Sequence, residues 1–446
     1  MGAGRLSRAC AKRPPRAALC GAAACLLLTG CAGLRPVSTV HRGGEPSAYV
    51  DRSQAYLHYC LGVFREKEDD PDGAAEEYAA ALGFDPGAAS VHLRLGELHF
   101  RRQDFARAVA EGRAAVGNDP GHAGARMLLG RAHYAHGDVE EAVEEFEEAI
   151  RLRPGDAEGY LALGQLYFNE DLRLDAIEVF ERAVRALPDL WVFPFKLGLL
   201  YCGEENTDGA LRNLRHAVEL APNRFEPRYK LAQVYDLLGR REEAIEEYQQ
   251  ALKIYPLKID IYALLGNLYR ETGQLEKAES RYRLLIDLMP RDVAGYLGLA
   301  QILLMQERKD DAAALLQKAL DEGIESSALH FYLGLTRSAQ GEFEEAAASY
   351  VRARELGADG AAIHFHLGSA LERLGRFDEA VEALEKSIAL NPDGAEAYNY
   401  LGYMYAEKGI KLDEAEDLIG KALALDPDNG AYVDSIGWVY YKRGMD

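Results

Sequence analysis

Apolar residues recur along most of the chain at helical spacings, and these are nested in a longer period of about 34 residues. A small residue inside an apolar stretch returns at Gly62, Gly96, Gly130, Gly164 and Gly198, then at Gly266, Gly334, Gly368 and Gly402, with Ala232 and Ala300 in the intervening places. Twelve residues after each stands an alanine, from Ala74, Ala108 and Ala142 to Ala380, arriving one place late at Ala415. A second alanine follows seven further on, as at Ala81, Ala115 and Ala149, with Leu285 and Ser387 as exceptions. Prolines close the unit at Pro86, Pro120, Pro154, Pro188, Pro222, Pro256, Pro290, Pro392 and Pro427. Leu, Gly and an aromatic at spacings of one and three predict a first helix, A, and the alanine pair predicts one face of a second, B.

The punctuation agrees with that reading. Gly137, Gly239, Gly273, Gly341, Gly375 and Gly409 fall between A and B, where positive φ is needed to turn the chain. The closing proline cannot continue helix B; units eight and nine lack it but carry Gly323 and Gly357, which can end a helix as a C-cap. Small residues on facing sides let the two helix axes approach closely. No single unit has a core of its own, so stability requires stacking on neighbours.

These residues resemble the tetratricopeptide repeat, a helix-turn-helix unit of about 34 residues. The third unit displays the pattern in full: Leu129-Gly130, His133 in the usual Tyr place, Gly137-Asp138, Ala142, Phe146, Ala149 and Pro154. Units begin near 55, 89, 123, 157, 191, 225, 259, 293, 327, 361 and 395, the last running to 429, with a partial unit at 430–446. The resemblance implies an all-α protein, a right-handed α-solenoid over 55–446, so the three domains that 446 residues would ordinarily suggest are not expected. The chain stops inside the twelfth unit, which reads as a fragment of a longer protein.

The first thirty residues have a different character. Arg5, Arg8, Lys12, Arg13 and Arg16, with no acid, precede an apolar run from Ala17 to Leu28. This is the layout of a secretory signal peptide, and the run is too short to span a bilayer, which needs about 20 residues. Leu28-Thr29-Gly30-Cys31 resembles the bacterial lipobox. That resemblance implies removal of 1–30, lipidation of Cys31 with three acyl chains, including palmitate, and, because Ala32 rather than Asp follows, sorting to the outer membrane. Residues 31–54, with Gly33, Pro36, Gly43, Gly44 and Pro46 and no apolar periodicity, read as a tether.

Charge and chemistry narrow the function further. With 51 basic and 72 acidic residues the net charge is −21, and the leader's bases leave the remainder more acidic still. An acidic chain is a poor partner for nucleic acid, and 48% hydrophobic residues exclude long disorder or a multi-span membrane protein. His92, His330 and His364 fall at the fourth repeat position and His99 and His133 at the eleventh, as packed or half-buried substitutes for aromatics. His364 and His366 are two apart and do not form the i, i+4 pair that binds zinc. Cys60 and Cys202 are too distant to pair and are expected to pack as small apolar groups. Glu140, Glu141, Glu144, Glu145, Glu147 and Glu148 are expected on an outward face of helix B. No phosphate loop, nucleophile elbow or metal-spaced cysteine set occurs, so no enzyme, cofactor or metal is expected.

In the family resembled, repeat positions 2, 5, 9 and 12 line the inner groove. Position 5 supplies Tyr59, Phe195, Tyr229, Phe331 and Phe365, and position 12 supplies Phe100, Tyr134 and Phe168. Position 5 contains no Lys, so the family's carboxylate clamp is not expected; apolar anchoring of a protein or peptide segment is. The expectation is a lipid-anchored, periplasm-facing scaffold for protein partners in bacterial envelope assembly or export, through a pilus, polysaccharide or outer-membrane protein pathway. The alternative is the substrate-recognition arm of a larger enzyme, such as a glycosyltransferase, with its catalytic domain beyond Asp446.

Overall fold

A computed structural model describes residues 46–445, with side chains from 51 onward. The leader, the lipobox with Cys31 and most of the tether lie outside the described residues. Within them the chain is all α, with 23 helices and no strand. The described residues divide into two compact units that meet at 153/154. The first contains α1 (Pro46–Lys67), α2 (Pro71–Phe84), α3 (Ala89–Arg101), α4 (Phe105–Asn118), α5 (Ala123–His136) and α6 (Val139–Leu152). The second contains α7 (Ala157–Asn169), α8 (Arg173–Ala186), α9 (Val192–Gly203), α10 (Thr207–Leu220), α11 (Phe225–Leu237), α12 (Arg241–Ile254), α13 (Asp260–Glu271) and α14 (Leu275–Leu288). It continues through α15 (Val293–Met305), α16 (Lys309–Asp321), α17 (Ser327–Gln340), α18 (Phe343–Glu355), α19 (Ala361–Arg373), α20 (Phe377–Leu390), α21 (Ala395–Lys408), α22 (Leu412–Leu425) and α23 (Gly430–Lys442). Odd helices are the predicted A elements and even helices the B elements. One boundary differs: α1 begins at Pro46, inside the segment read as a tether to 54. A proline at the first helical position loses no hydrogen bond, and that A helix is accordingly 22 residues long.

The recurring glycine makes room for a particular side chain. A Cβ at Gly62 would lie 2.5 Å from the Tyr78 ring, one at Gly130 2.7 Å from Phe146, one at Gly266 2.7 Å from Tyr282 and one at Gly334 2.5 Å from Tyr350. In each case the ring belongs to helix B of the same repeat and is buried, as Tyr78 is between Ala74 and Ala81, all at 0% exposure. The second repeat has Gly112 where this ring would be; Leu128 of the next A helix fills the gap instead, 2.7 Å from a Cβ at Gly96. Interdigitation of this kind is how one repeat borrows its core from the next.

The turn between A and B is one conformation repeated. Residues 69, 103, 137, 171, 205, 239, 273, 307, 341, 375 and 409 all have positive φ, at an unbroken step of one repeat. Six are the glycines expected from sequence; the others are Asp69, Gln103, Asp171, Glu205 and Glu307, with φ between 55° and 63°. The late alanine at 415 is absorbed here too, by a further left-handed residue, Lys411 at φ 47°. Its ammonium donates to the Tyr405 hydroxyl at 3.0 Å and pairs with Glu414 at 3.1 Å. Gly323 and Gly357 end α16 and α18 with φ of 78° and 95°.

Candidate partner-binding surface

The fourth position of helix A works as a clamp, a role that sequence reading assigned only to packing. His92 Nε2 lies 3.0 Å from the carbonyl oxygen of Pro86, and in the second unit the Tyr262 and Tyr296 hydroxyls donate to the Pro256 and Pro290 carbonyls at 2.9 Å. The proline ends helix B, and the next A helix satisfies the carbonyl left over. The same position also reaches a carboxylate on helix B of its own repeat: His58 to Glu77 at 2.7 Å, His92 to Glu111 at 2.7 Å, Arg126 to Glu145 at 2.8 Å and Arg228 to Glu247 at 2.7 Å. A useful signal in the sequence was therefore the constant spacing of 19 between a position-4 His or Arg and a Glu.

With helix A held in this way, its position-5 and position-12 side chains are placed reproducibly. In the first unit Tyr59 is half-buried, its ring 5.9 Å from Tyr78. Phe100 lies 5.6 Å from Phe105 with the Arg131 guanidinium 5.8 Å above its ring, and Tyr134 is half-buried. In the second unit Phe168 stands out at 52% exposure. Phe195 packs on Trp191 at 5.7 Å, and Tyr229 stacks on Phe225 at 5.2 Å. Phe331 and Phe365 are brought together by His366, which lies 5.6 Å from one ring and 5.2 Å from the other. Tyr59, Phe100, Phe195, Tyr229, Phe331 and Phe365 each rest partly on the buried core beneath them. The exposed apolar stripe is therefore thinner than eight free rings.

Two features escaped sequence reading. Trp191 and Phe225 occupy position 1 of successive repeats and extend the aromatic surface around Phe195 and Tyr229. Cations cover part of it: Arg224 lies 5.4 Å above Trp191, and Lys258 5.6 Å above Tyr229. The Tyr229 hydroxyl donates to Asp260 at 3.0 Å, and burial together with that carboxylate pushes its pKa up. The second is His366. Burial lowers its pKa, with Glu396 acting in the opposite sense, and its ring stacks on Tyr350 at 5.9 Å. A cleft of about 370 Å³ opens beside it, lined by Phe365, His366, Ser387, Asn391 and Glu396. A larger cleft, about 1060 Å³, separates α18 from α20 and has His364, Leu367 and Leu371 of α19 at its floor.

The remaining expectations divide. His133 and His364 are buried, at 2% and 5% exposure, and His92, His99 and His330 are half-buried. Glu140, Glu141 and Glu144 face outward, whereas Glu145 and Glu148 are half-buried in pairs with Arg126 and Arg151. Cys60 and Cys202 are free but exposed, against the expectation that they pack as small apolar groups. At Cys60 no preceding B helix covers that face of α1 among the described residues; Cys202 is exposed like Phe168, which holds the same position of the preceding repeat. No cluster of three metal-ligating side chains is found among the described residues, and no described helix is long and apolar enough to cross a membrane.

Stacked helix–turn–helix repeats of this kind are the architecture of a scaffold for protein–protein interaction. A tetratricopeptide-repeat family model matches residues 65–123, 333–390 and 367–430, and a model of the C-terminal domain of cilia and flagella-associated protein 70 matches residues 110–331. The chain belongs to the tetratricopeptide-repeat family. Among solved structures it is similar to the Cut9–Hcn1 hetero-tetramer of the APC/C, at 14% identity and TM-score 0.44 over 88% of this chain and 98% of that one. It is also similar to yeast Tom70, at 16% identity and TM-score 0.41 over 88% and 96%, and to YrrB, at 24% identity and TM-score 0.35 over 43% and 98%. No curated protein matches it.

Proposed function

We propose that this repeat scaffold is a bacterial lipoprotein, anchored through Cys31 to the outer membrane and facing the periplasm, where it gathers protein partners of an envelope assembly or export pathway. The observation that carries this reading is the order of features in the chain. A basic stretch, a short apolar run and Leu28-Thr29-Gly30-Cys31 stand ahead of the repeat array, separated from it by a short tether. Acyl chains on Cys31 would hold the array at a membrane without a spanning helix, and the A-helix aromatics supply anchors for a peptide segment. The assembly served is of the kind that builds pili, exports polysaccharide or inserts outer-membrane proteins.

The reading is tested in two steps. Labelled palmitate should enter the wild-type chain and not Cys31→Ala, and continued labelling of the variant would refute the anchor. Crosslinking of the anchored chain in cells, followed by mass spectrometry, should recover envelope proteins, and recovery of cytosolic proteins alone would refute the location.

A further inference from the structure

Position 6 of helix A comes close to position 12 of the A helix before it, across the seam between repeats. A step of 28 residues joins the two. Arg94 lies 3.9 Å from Glu66 in the first unit, and the Tyr400 hydroxyl lies 3.4 Å from Glu372 in the second. At those seams position 12 supplies a carboxylate; at α9 and α11 it does not. There position 6 is Lys196 and Lys230, and the same step leads back to Phe168, 52% exposed, and to Cys202, also exposed. Lys230 does stand near Cys202: burial pushes the thiol pKa up, and the lysine charge acts in the opposite sense. Neither a phenyl ring nor a neutral thiol neutralises an ammonium group.

Both lysines are half-buried and form no ion pair among the described residues. Lys230 donates to the Gln233 amide at 2.9 Å, although Glu226 stands one turn before it on α11. Helix α9 contains no acid for Lys196 to meet. Each lysine directly follows a position-5 ring, as Phe195-Lys196 and Tyr229-Lys230. In a chain of net charge −21, two successive repeats thus present uncompensated cations beside aromatic side chains, a local reversal of sign.

We propose that Lys196 and Lys230 bind two carboxylates of an acidic segment of a protein partner, with Phe168 taking an apolar side chain next to them. The proposal rests on the reading of this groove as a partner-binding surface and names the chemistry of the partner. No ion pair has to break for the segment to bind, so the charges are complementary at little cost. Neighbouring A helices lie on the order of 10 Å apart, a distance that a polyproline II segment covers in about three residues, and residues three apart in that conformation share one side. The segment recognised therefore has two acids three residues apart, with an apolar residue near them.

The test selects peptides from a random library displayed on phage against the detergent-solubilised full chain. Enriched peptides should have acids three apart. One of them, synthesised with both ends blocked, should bind less tightly as salt is raised. Its dissociation constant should rise roughly tenfold or more in Lys196→Ala with Lys230→Ala, with circular dichroism unchanged, and return towards the wild-type value in Lys196→Arg with Lys230→Arg. Enrichment of peptides without acids overturns the proposal, as does an acidic peptide indifferent to the lysines or one that binds only through a free C-terminal carboxylate. Alginate held by the same lysines, with no acidic peptide bound, would assign them to an anionic polysaccharide and overturns it too. In each of these cases, loss of partner capture in Phe195→Ala with Tyr229→Ala would still support the groove, so failure of the charge argument is separable from failure of the scaffold reading.

Discussion

Gly130 and Phe146 share one volume: a Cβ on the glycine would sit 2.7 Å from the phenyl ring, which is itself 2% exposed. Any side chain at 130 must displace a ring packed between Ala142 and Ala149. Gly130→Leu is expected to destabilise the array by about 1–3 kcal/mol through overpacking, read as a shift in a chemical denaturation midpoint. Phe146→Ala alone leaves a cavity and costs roughly 3–5 kcal/mol. The double variant should cost less than the sum, because the leucine occupies part of the space vacated. Additive losses would mean that the two side chains do not compete. Gly117, near the end of α4 with nothing within 4 Å of where a methyl would project, should accept Ala without loss.

The left-handed turns give a prediction of opposite sign. Gln103 has φ 63° and is exposed, at the place where Gly137 and Gly341 stand in other repeats. A side chain there costs about 1–2 kcal/mol relative to right-handed backbone, whereas glycine adopts the conformation freely. Gln103→Gly should therefore stabilise the chain by roughly 0.5–1 kcal/mol, and Gly341→Ala should destabilise it by a similar or larger amount. Equal midpoints for Gln103→Gly and wild type would remove the argument.

These two cases mark what the sequence made legible. Pairs of helices, their order and the small residue, glycine or alanine, at each A–B contact follow from the 34-residue period. The five turns without glycine did not, because local propensity argues against positive φ at Asp69, Gln103, Asp171, Glu205 and Glu307. Packing of A on B fixes the turn geometry, and the backbone complies. The surface was less legible for a related reason. Positions 5 and 12 name side chains on the outward side of helix A, but local packing decides how much ring remains exposed, so Tyr59 at position 5 leans on Tyr78 while Phe168 at position 12 projects. His366, set aside as a zinc ligand, proves to be the wedge between Phe331 and Phe365.

Acid should loosen the repeats around that wedge. Burial holds the His366 pKa below its usual value, so the folded state favours the neutral ring. The unfolded chain takes up the proton near about pH 6.5 while the folded chain does not, so it binds more protons over the interval below. Stability is fully present above about pH 6.5 and is lost as pH falls towards the folded value. His366→Phe keeps a ring against Tyr350 and removes the titration. Its midpoint should fall less than that of wild type between pH 7 and pH 5, and parallel pH curves would show that His366 does not contribute. His99 and His330 are shifted down by burial in the same way, so some slope should persist in the variant.

The aromatic surface of α9 and α11 gives the test closest to function. Phe195 and Tyr229 lie beside Trp191 and Phe225, under the cations Arg224 and Lys258. Both rings rest partly on the core, so Phe195→Ala with Tyr229→Ala must be judged against folding as well as binding. Circular dichroism should show the helices retained, since the core beneath includes Leu214, Leu231, Leu265 and Tyr248 at 2% exposure or less. Capture of the crosslinked partner should weaken by roughly tenfold or more, about 1.4 kcal/mol. Phe168→Ala removes an exposed ring from α7 and is expected to change stability by less than about 0.5 kcal/mol, so any loss of capture it causes reports on binding alone. If the double variant captures its partner as well as wild type does, the position-5 rings are packing between helices and the partner sits elsewhere.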